Sequence, residues 1–146
     1  MAEIRTVTPE EAAALLNEGY VYVDVRSEPE FEAGHVPGAL NVPLNHLTPA
    51  GFQPNPEFMS VMQQAFASGE RLVLGCKAGG RSRRAAEQLL SAGYTELAEM
   101  AAGWDGTRDA FGAAVPGWSK KGLPIEKGKP SGQGYADVKQ RRAKGA

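Results

Sequence analysis

Residues 74–86 read LGCKAGGRSRRAA and contain the one cysteine of the 146-residue chain. Cys76 closes an apolar run. Lys77, Ala78, Gly79, Gly80, Arg81 and Ser82 follow it, ahead of an alanine-rich amphipathic stretch. This is the passage of a strand into a helix, with the thiol at the junction. Glycines let the chain curl tightly and bring its amides close to whatever the curl encloses. Successive N–H groups in a turn form an anion-binding nest, and the helix N-terminus adds partial positive charge. Lys77 and Arg81 add formal charge. Such surroundings favour a thiolate over a thiol and offer a seat to an anionic substrate. The chemistry they point to is covalent catalysis with Cys76 as nucleophile. Ser82 reads first as the cap of the following helix and second as a hydrogen-bond partner of the sulfur.

A single cysteine makes no intrachain disulfide and no four-cysteine zinc site. His35 and His46 stand at no metal-ligand spacing, so the sequence calls for neither metal nor cofactor.

The elements around the thiol are legible from pattern. Thr8, Pro9 and Glu11 form a helix entry with a capping box, and Gly19 suits its exit. Residues 20–25, YVYVDV, are β-branched and aromatic and read as a central strand. Ser27 and Glu30 repeat the capping logic for a short helix ending near Gly34. Pro37-Gly38 mark a turn before a short strand at 39–42. Residues 43–54 read as loop. Phe58, Val61, Met62, Ala65 and Phe66 form one apolar helix stripe. The strand RLVLGC, a helix from about Arg81 with Ala85, Ala86, Leu89 and Leu90 facing inward, and the strand TELAEM follow. The alternation predicts an α/β fold: an open, mostly parallel sheet of about five strands with helices on both faces. Ligands bind beyond the carboxyl ends of strands in such sheets, which is where Cys76 falls.

Composition narrows the function classes. A net charge of −1 gives no global attraction to nucleic acid or membrane. No apolar run approaches the roughly 18 to 20 residues that span a bilayer. The acidic N-terminal stretch lacks the features of a secretory signal, so the expected location is the cytoplasm. Residues 127–146 hold six Lys or Arg against one acid, whereas the preceding body holds ten against sixteen. The expected organisation is one domain over 1–126 followed by a basic, flexible tail.

The stretch VYVDVRSEPEFEAGHVPGALNVP resembles the first signature of the rhodanese (sulfurtransferase) family. LGCKAGGRS resembles that family's active-site loop, and the GLP of Gly122, Leu123 and Pro124 its closing motif. The likeness runs from about residue 3 to residue 125. It implies that Cys76 takes the outer sulfur of an anionic donor, thiosulfate above all, as a persulfide. Cyanide or a thiol, of a small molecule or a protein, then removes that sulfur. Lys77 would attract the donor, the amides from Lys77 to Ser82 would hold the persulfide's charge, and Arg81 would close the bowl. Asp24 and Arg26, at the end of a neighbouring strand, read as scaffold through ion pairing or backbone hydrogen bonds. Glu30 reads as a partner for an arginine, and His35 as satisfying backbone groups in its turn. Trp104 and residues 108–115, Arg108 to Val115, belong to a segment longer than usual for the family. They are expected on the same rim, where they either shape access to the thiol or only lengthen a loop. Trp118 is expected in the core.

Two other readings stay open. One is a sulfur relay or regulatory binding module with a protein acceptor. The other is a cysteine-dependent phosphatase or arsenate reductase. Its loop is C-x5-R, whereas four residues separate Cys76 from Arg81 here.

Overall fold

The structure, a computed structural model, describes residues 3–143. Its elements in chain order are β1 (Ile4–Val7), α1 (Pro9–Asn17), β2 (Val21–Asp24), α2 (Glu28–Ala33), β3 (Leu40–Asn41), β4 (Asn45–Thr48), β5 (Gly51–Pro54), α3 (Phe58–Ala65), β6 (Leu72–Gly75), α4 (Gly80–Ser91), β7 (Leu97–Met100), β8 (Gly106–Arg108), β9 (Ala114–Pro116) and α5 (Tyr135–Val138). A 3-10 turn covers Trp118–Lys120.

Five strands form one parallel sheet in the order β1-β7-β6-β2-β3. Strand β6, which delivers Cys76, lies between β2 and β7 at the middle. Its residues Leu72, Val73 and Leu74 are fully buried, as expected of a strand covered on both faces. Leu72, Leu74 and Leu97 pack with α3 and α4 through Val61, Met62, Ala85, Ala86 and Leu89. Tyr22, Val73, Ala98 and Met100 pack on the opposite face with Ala12, Leu15, Phe31 and Trp118.

Helix entries follow their local chemistry. Thr8 Oγ1 accepts from Glu11 N–H at 3.1 Å and Glu11 Oε1 accepts from Thr8 N–H at 2.8 Å, a closed capping box. Glu30 Oε1 likewise accepts from Ser27 N–H at 3.1 Å and Ser27 Oγ–H at 2.8 Å. The apolar stripe of α3 is buried throughout.

Three features differ from the sequence reading. Strand β1, at a sheet edge, carries Ile4, Arg5, Thr6 and Val7, too mixed a pattern to signal a strand by itself. Residues 43–54, read as loop, contain the antiparallel hairpin β4–β5; its side chains are largely exposed, so no apolar alternation marks it. The third is the segment read as a flexible tail. Up to residue 143 it is packed, and only its last three residues lie outside the described ones. Gln133 O accepts from Asn41 N–H at 2.9 Å, which caps the open edge of β3. His35 and Glu126 pair as an isolated antiparallel bridge on the way there. Tyr135 and Val138 are buried in the main core, and Tyr135 Oη accepts from Asn55 Nδ2 at 3.0 Å. Its basic residues meet the acidic body: Lys139 lies 3.6 Å from Glu57, Lys129 3.9 Å from Glu32 and Arg141 3.9 Å from Glu70. Two apolar anchors amid polar residues leave no periodic signal, which is why the segment looks like a tail.

Truncation after residue 126 removes the buried Tyr135 and Val138 side chains, each stabilising by about 1.5–3 kcal/mol, together with Ala143, and uncovers the β3 edge. The expected result is a lower urea midpoint in equilibrium unfolding and a stronger tendency to associate. A truncated chain as stable as the whole one contradicts the packing described.

Candidate active site around Cys76

Strand β6 ends at Gly75, and α4 begins at Gly80, so four residues turn the chain from sheet to helix. Two glycines make the turn possible. A Cβ on Gly75 would overlap Tyr22 Oη, which lies directly beneath the strand end. Gly79 has φ +97°, the left-handed region, and a Cβ there would collide with the Ala101 carbonyl. Gly80 meets no such constraint. In this conformation Gly79 N–H points back at the sulfur and donates to Cys76 Sγ at 3.0 Å. Cys76 itself is only 2% exposed.

The start of the loop is pinned from behind. Trp104 N–H donates to Cys76 O at 2.7 Å, and Asp105 N–H to Lys77 O at 3.0 Å. Gly103, with φ +69°, packs its backbone against the Cys76 and Lys77 carbonyls. Lys77 extends outward as an exposed cation 3.8 Å from Asp105.

Arg81 is held rather than free. Its Nη1 and Nη2 donate to Glu30 Oε1 and Oε2 at 2.7 and 3.0 Å, and its guanidinium lies 4.9 Å from the Phe52 ring centroid. Burial by itself pushes the Glu30 carboxyl up. The hydrogen bonds from Arg81 and Ser27, with the Arg81 charge, outweigh that and hold it down at about 2. The pairing of Glu30 with an arginine is thus as read from the sequence. The expectation that Arg81 closes the bowl needs a qualification: the guanidinium is tied to α2 by Glu30 and lies over Phe52 of the β4–β5 hairpin.

Ser82 differs more. The helix starts two residues before it, at Gly80, and Gly79 occupies the cap. The Ser82 hydroxyl faces inward instead, 3.5 Å from Cys76 Sγ, 3.2 Å from Gly79 O and 3.0 Å from Glu99 Oε2. The secondary role assigned to it is the one its position serves.

Asp24 and Arg26 form a buried ion pair at 2.7 Å, and Arg26 Nη2 also donates to Gly34 O at 2.6 Å. They join β2 to α2, and among the described residues neither side chain hydrogen-bonds to residues 76–82. The Trp104 ring lies 5.1 Å over Arg26 and packs on Gly34, so this residue supports the loop through its main chain. Residues 108–115 run from the end of β8 through the turn to β9, a hairpin whose tip carries Phe111, 95% exposed. Trp118 is buried and donates through Nε1 to Pro124 O at 2.7 Å. His35 is buried between Phe31 O, 2.7 Å from Nδ1, and Glu126 Oε1, 3.0 Å from Nε2. Glu99 went unnoticed in the sequence. The signal was there: an acid beside Leu97 at the same-face position of a central strand.

The Glu30–Arg81 pair sets an acid limit on the site. The Glu30 pKa is lower in the fold than in the unfolded chain. Its contribution to stability is therefore complete above roughly pH 5 and disappears as the pH falls through about 2. Glu30→Gln is expected to flatten the fall in urea-unfolding stability between those values; an unchanged slope overturns this assignment.

Comparisons with known proteins place these features. The family model described as a rhodanese-like domain matches residues 8–110. Thiosulfate sulfurtransferase 16, chloroplastic, of Arabidopsis thaliana is 35% identical over 77% of this chain and 84% of its own length. Protein HIGH ARSENIC CONTENT 1, mitochondrial, of the same plant is 38% identical over 74% of this chain; the match spans 64% of that protein. Among solved structures, Rv0390 from M. tuberculosis superposes with a TM-score of 0.69 at 27% identity, covering 88% of this chain and all of that one. The human single-domain sulfurtransferase TSTD1 does so with a TM-score of 0.54 at 30% identity, over 68% and 90% respectively.

Proposed function

The chain belongs to the rhodanese-like domain family, and on that premise we propose that it is a sulfurtransferase carrying sulfane sulfur on Cys76. The observation that carries this reading is the Gly79 amide aimed at the cysteine sulfur at 3.0 Å. A hydrogen-bond donor on that vector stabilises an anionic sulfur and, one bond further out, an anionic persulfide.

In the first half-reaction the Cys76 thiolate attacks the outer sulfur of thiosulfate. A sulfur–sulfur bond forms to Cys76, the bond to the sulfonate sulfur breaks, and sulfite leaves with the electron pair. In the second, cyanide attacks the terminal sulfur, thiocyanate leaves and the thiolate is restored. A thiolate acceptor would carry the sulfur away as its own persulfide. Lys77, exposed beside the loop, attracts the dianionic donor, whereas Arg81, its charge balanced by Glu30, serves by position rather than by free charge. The chain has one cysteine, so an external acceptor must discharge the persulfide. A protein acceptor fits the surroundings as well: Leu47 and Phe52, each about half exposed, face each other across the β4–β5 hairpin beside Arg81. A cytoplasmic location belongs to the same proposal. Among the described residues no helix is long and apolar enough to cross a membrane.

Intact-protein mass spectrometry before and after thiosulfate tests the reading. The expected result is a gain of one sulfur atom, reversed by cyanide and missing in Cys76→Ser. Phosphate-ester hydrolysis without sulfur uptake would favour the phosphatase instead, and neither activity would leave a binding module. Lys77→Ala is expected to raise KM for thiosulfate by about fivefold with little change in kcat, the size of one exposed charge interaction. A selective loss of kcat would assign Lys77 a different part.

A further inference from the structure

Behind Ser82 lies a carboxyl group that the sulfur chemistry above does not use. Glu99 sits on β7, is 3% exposed, and reaches towards α4, where it meets Ser82 and Arg83. Glu99 Oε2, Ser82 Oγ and Cys76 Sγ form a hydrogen-bonded chain with spacings of 3.0 and 3.5 Å. All three residues are buried.

A hydroxyl has one proton to donate and two lone pairs to accept with. With a thiol and a carboxylate at its two ends, Sγ–H donates to Oγ and Oγ–H donates to Oε2. With a thiolate and a carboxylic acid, both hydrogen bonds reverse direction. Heavy atoms stay where they are in either case. We propose that Glu99 is a positioning residue that takes up the Cys76 thiol proton through Ser82, so that the nucleophilic form of the site is thiolate plus neutral Glu99. This rests on the reading of Cys76 as the nucleophile.

The step balances within the site. The S–H bond breaks as its proton joins Ser82 Oγ, and the proton Ser82 held passes to Glu99 Oε2. The electron pair of the S–H bond stays on sulfur, and the pair of groups keeps a net charge of −1. Nothing external is consumed. Ionising the thiol without this transfer would place two negative charges about two hydrogen bonds apart in a buried site, which is costly. Burial pushes the Glu99 carboxyl up, against the Ser82 hydrogen bond and the charge of Arg83, and Glu87 adds to the upward push.

The charged surroundings of Glu99 are few. From α4 come Arg83, with Nη1 3.8 Å from Oε1, and Glu87, itself paired with Arg83 at 3.9 Å. Tyr22 on β2 stays neutral, its pKa pushed well above the usual range by burial and by nearby Asp24. The register partners on either side, Thr6 on β1 and Leu74 on β6, carry no charge.

Alkylation of Cys76 by iodoacetamide tests the relay without any sulfur donor. Its rate is followed by mass from about pH 4 to 10, which brackets ordinary carboxyl and thiol titrations. Coupled groups lose their two protons in separate steps. The unsubstituted chain is expected to show two rises with a level stretch between them, because the thiolate–acid form is already populated once the first proton leaves. Glu99→Gln is expected to leave a single rise, about tenfold per pH unit below its midpoint. Ser82→Ala keeps the carboxyl but removes the bridge, and is expected to lower the level stretch about tenfold, the size of a hydrogen bond to a charged group. A single rise in the ordinary thiol range in the unsubstituted chain overturns the proposal even if both variants fail to fold, whereas a single rise in the carboxyl range supports it as complete transfer. Two rises persisting in Glu99→Gln, or an unaltered level in Ser82→Ala, overturn it too. Two rises without sulfur uptake from thiosulfate would keep the relay and remove the sulfurtransferase reading. Uptake with a single rise in the thiol range would do the reverse.

Discussion

The conformation of four residues shapes the candidate site of this molecule. Between Gly75 and Gly80 the chain must leave a buried central strand and enter a helix that packs back on the same sheet. The left-handed turn at Gly79 is how it does so, and the Ala101 carbonyl behind that residue leaves no room for a side chain. Once the turn is made, the Gly79 amide has no helical carbonyl to meet and points at Cys76 Sγ. The site is therefore a by-product of a connection the fold needs anyway. Its precision comes from the rigid elements on either side and from Trp104 and Asp105, which hold the first two loop carbonyls from behind.

Charge in this protein is managed by pairing. Asp24 with Arg26 and Glu30 with Arg81 neutralise one another where β2, α2 and α4 meet. Each pair joins elements far apart in the chain or across a tight turn, so each also fixes geometry. Burying such pairs adds little net stability, but removing one partner leaves a charge stranded. Glu99 is the exception among the buried acids. Its one close cation among the described residues, Arg83, stands half exposed at 3.8 Å, and burial pushes the Glu99 carboxyl up. A carboxyl in that condition stands one hydroxyl away from the Cys76 sulfur, a placement the paired acids lack.

The C-terminal segment shows how sequence composition can mislead. Its lysines and arginines suggest a solvated end. The body it follows is rich in acids, and the segment lies along that body, capping the β3 edge and seating Tyr135 and Val138 in the core. Long-range complementarity of this kind has no local signature, because each half looks ordinary by itself.

Local rules were sufficient for much of the rest. The capping box at Thr8 and Glu11, the stripe of α3, the central strands and the position of Cys76 at a strand end all follow from spacing within a few residues, because helices and strands impose fixed periods on burial. The candidate nucleophile and the class of its surroundings were legible at that level too, since the glycines and cations are neighbours of Cys76 in the chain. Tertiary structure alone decided what those neighbours face. Ser82 turns inward because α4 begins at Gly80, two residues before it, Arg81 is claimed by Glu30 from fifty-one residues away, and Glu99 arrives from another strand. Side chains meet across a sheet according to register and helix phase, and those are set by packing of the whole core rather than by any one stretch of chain.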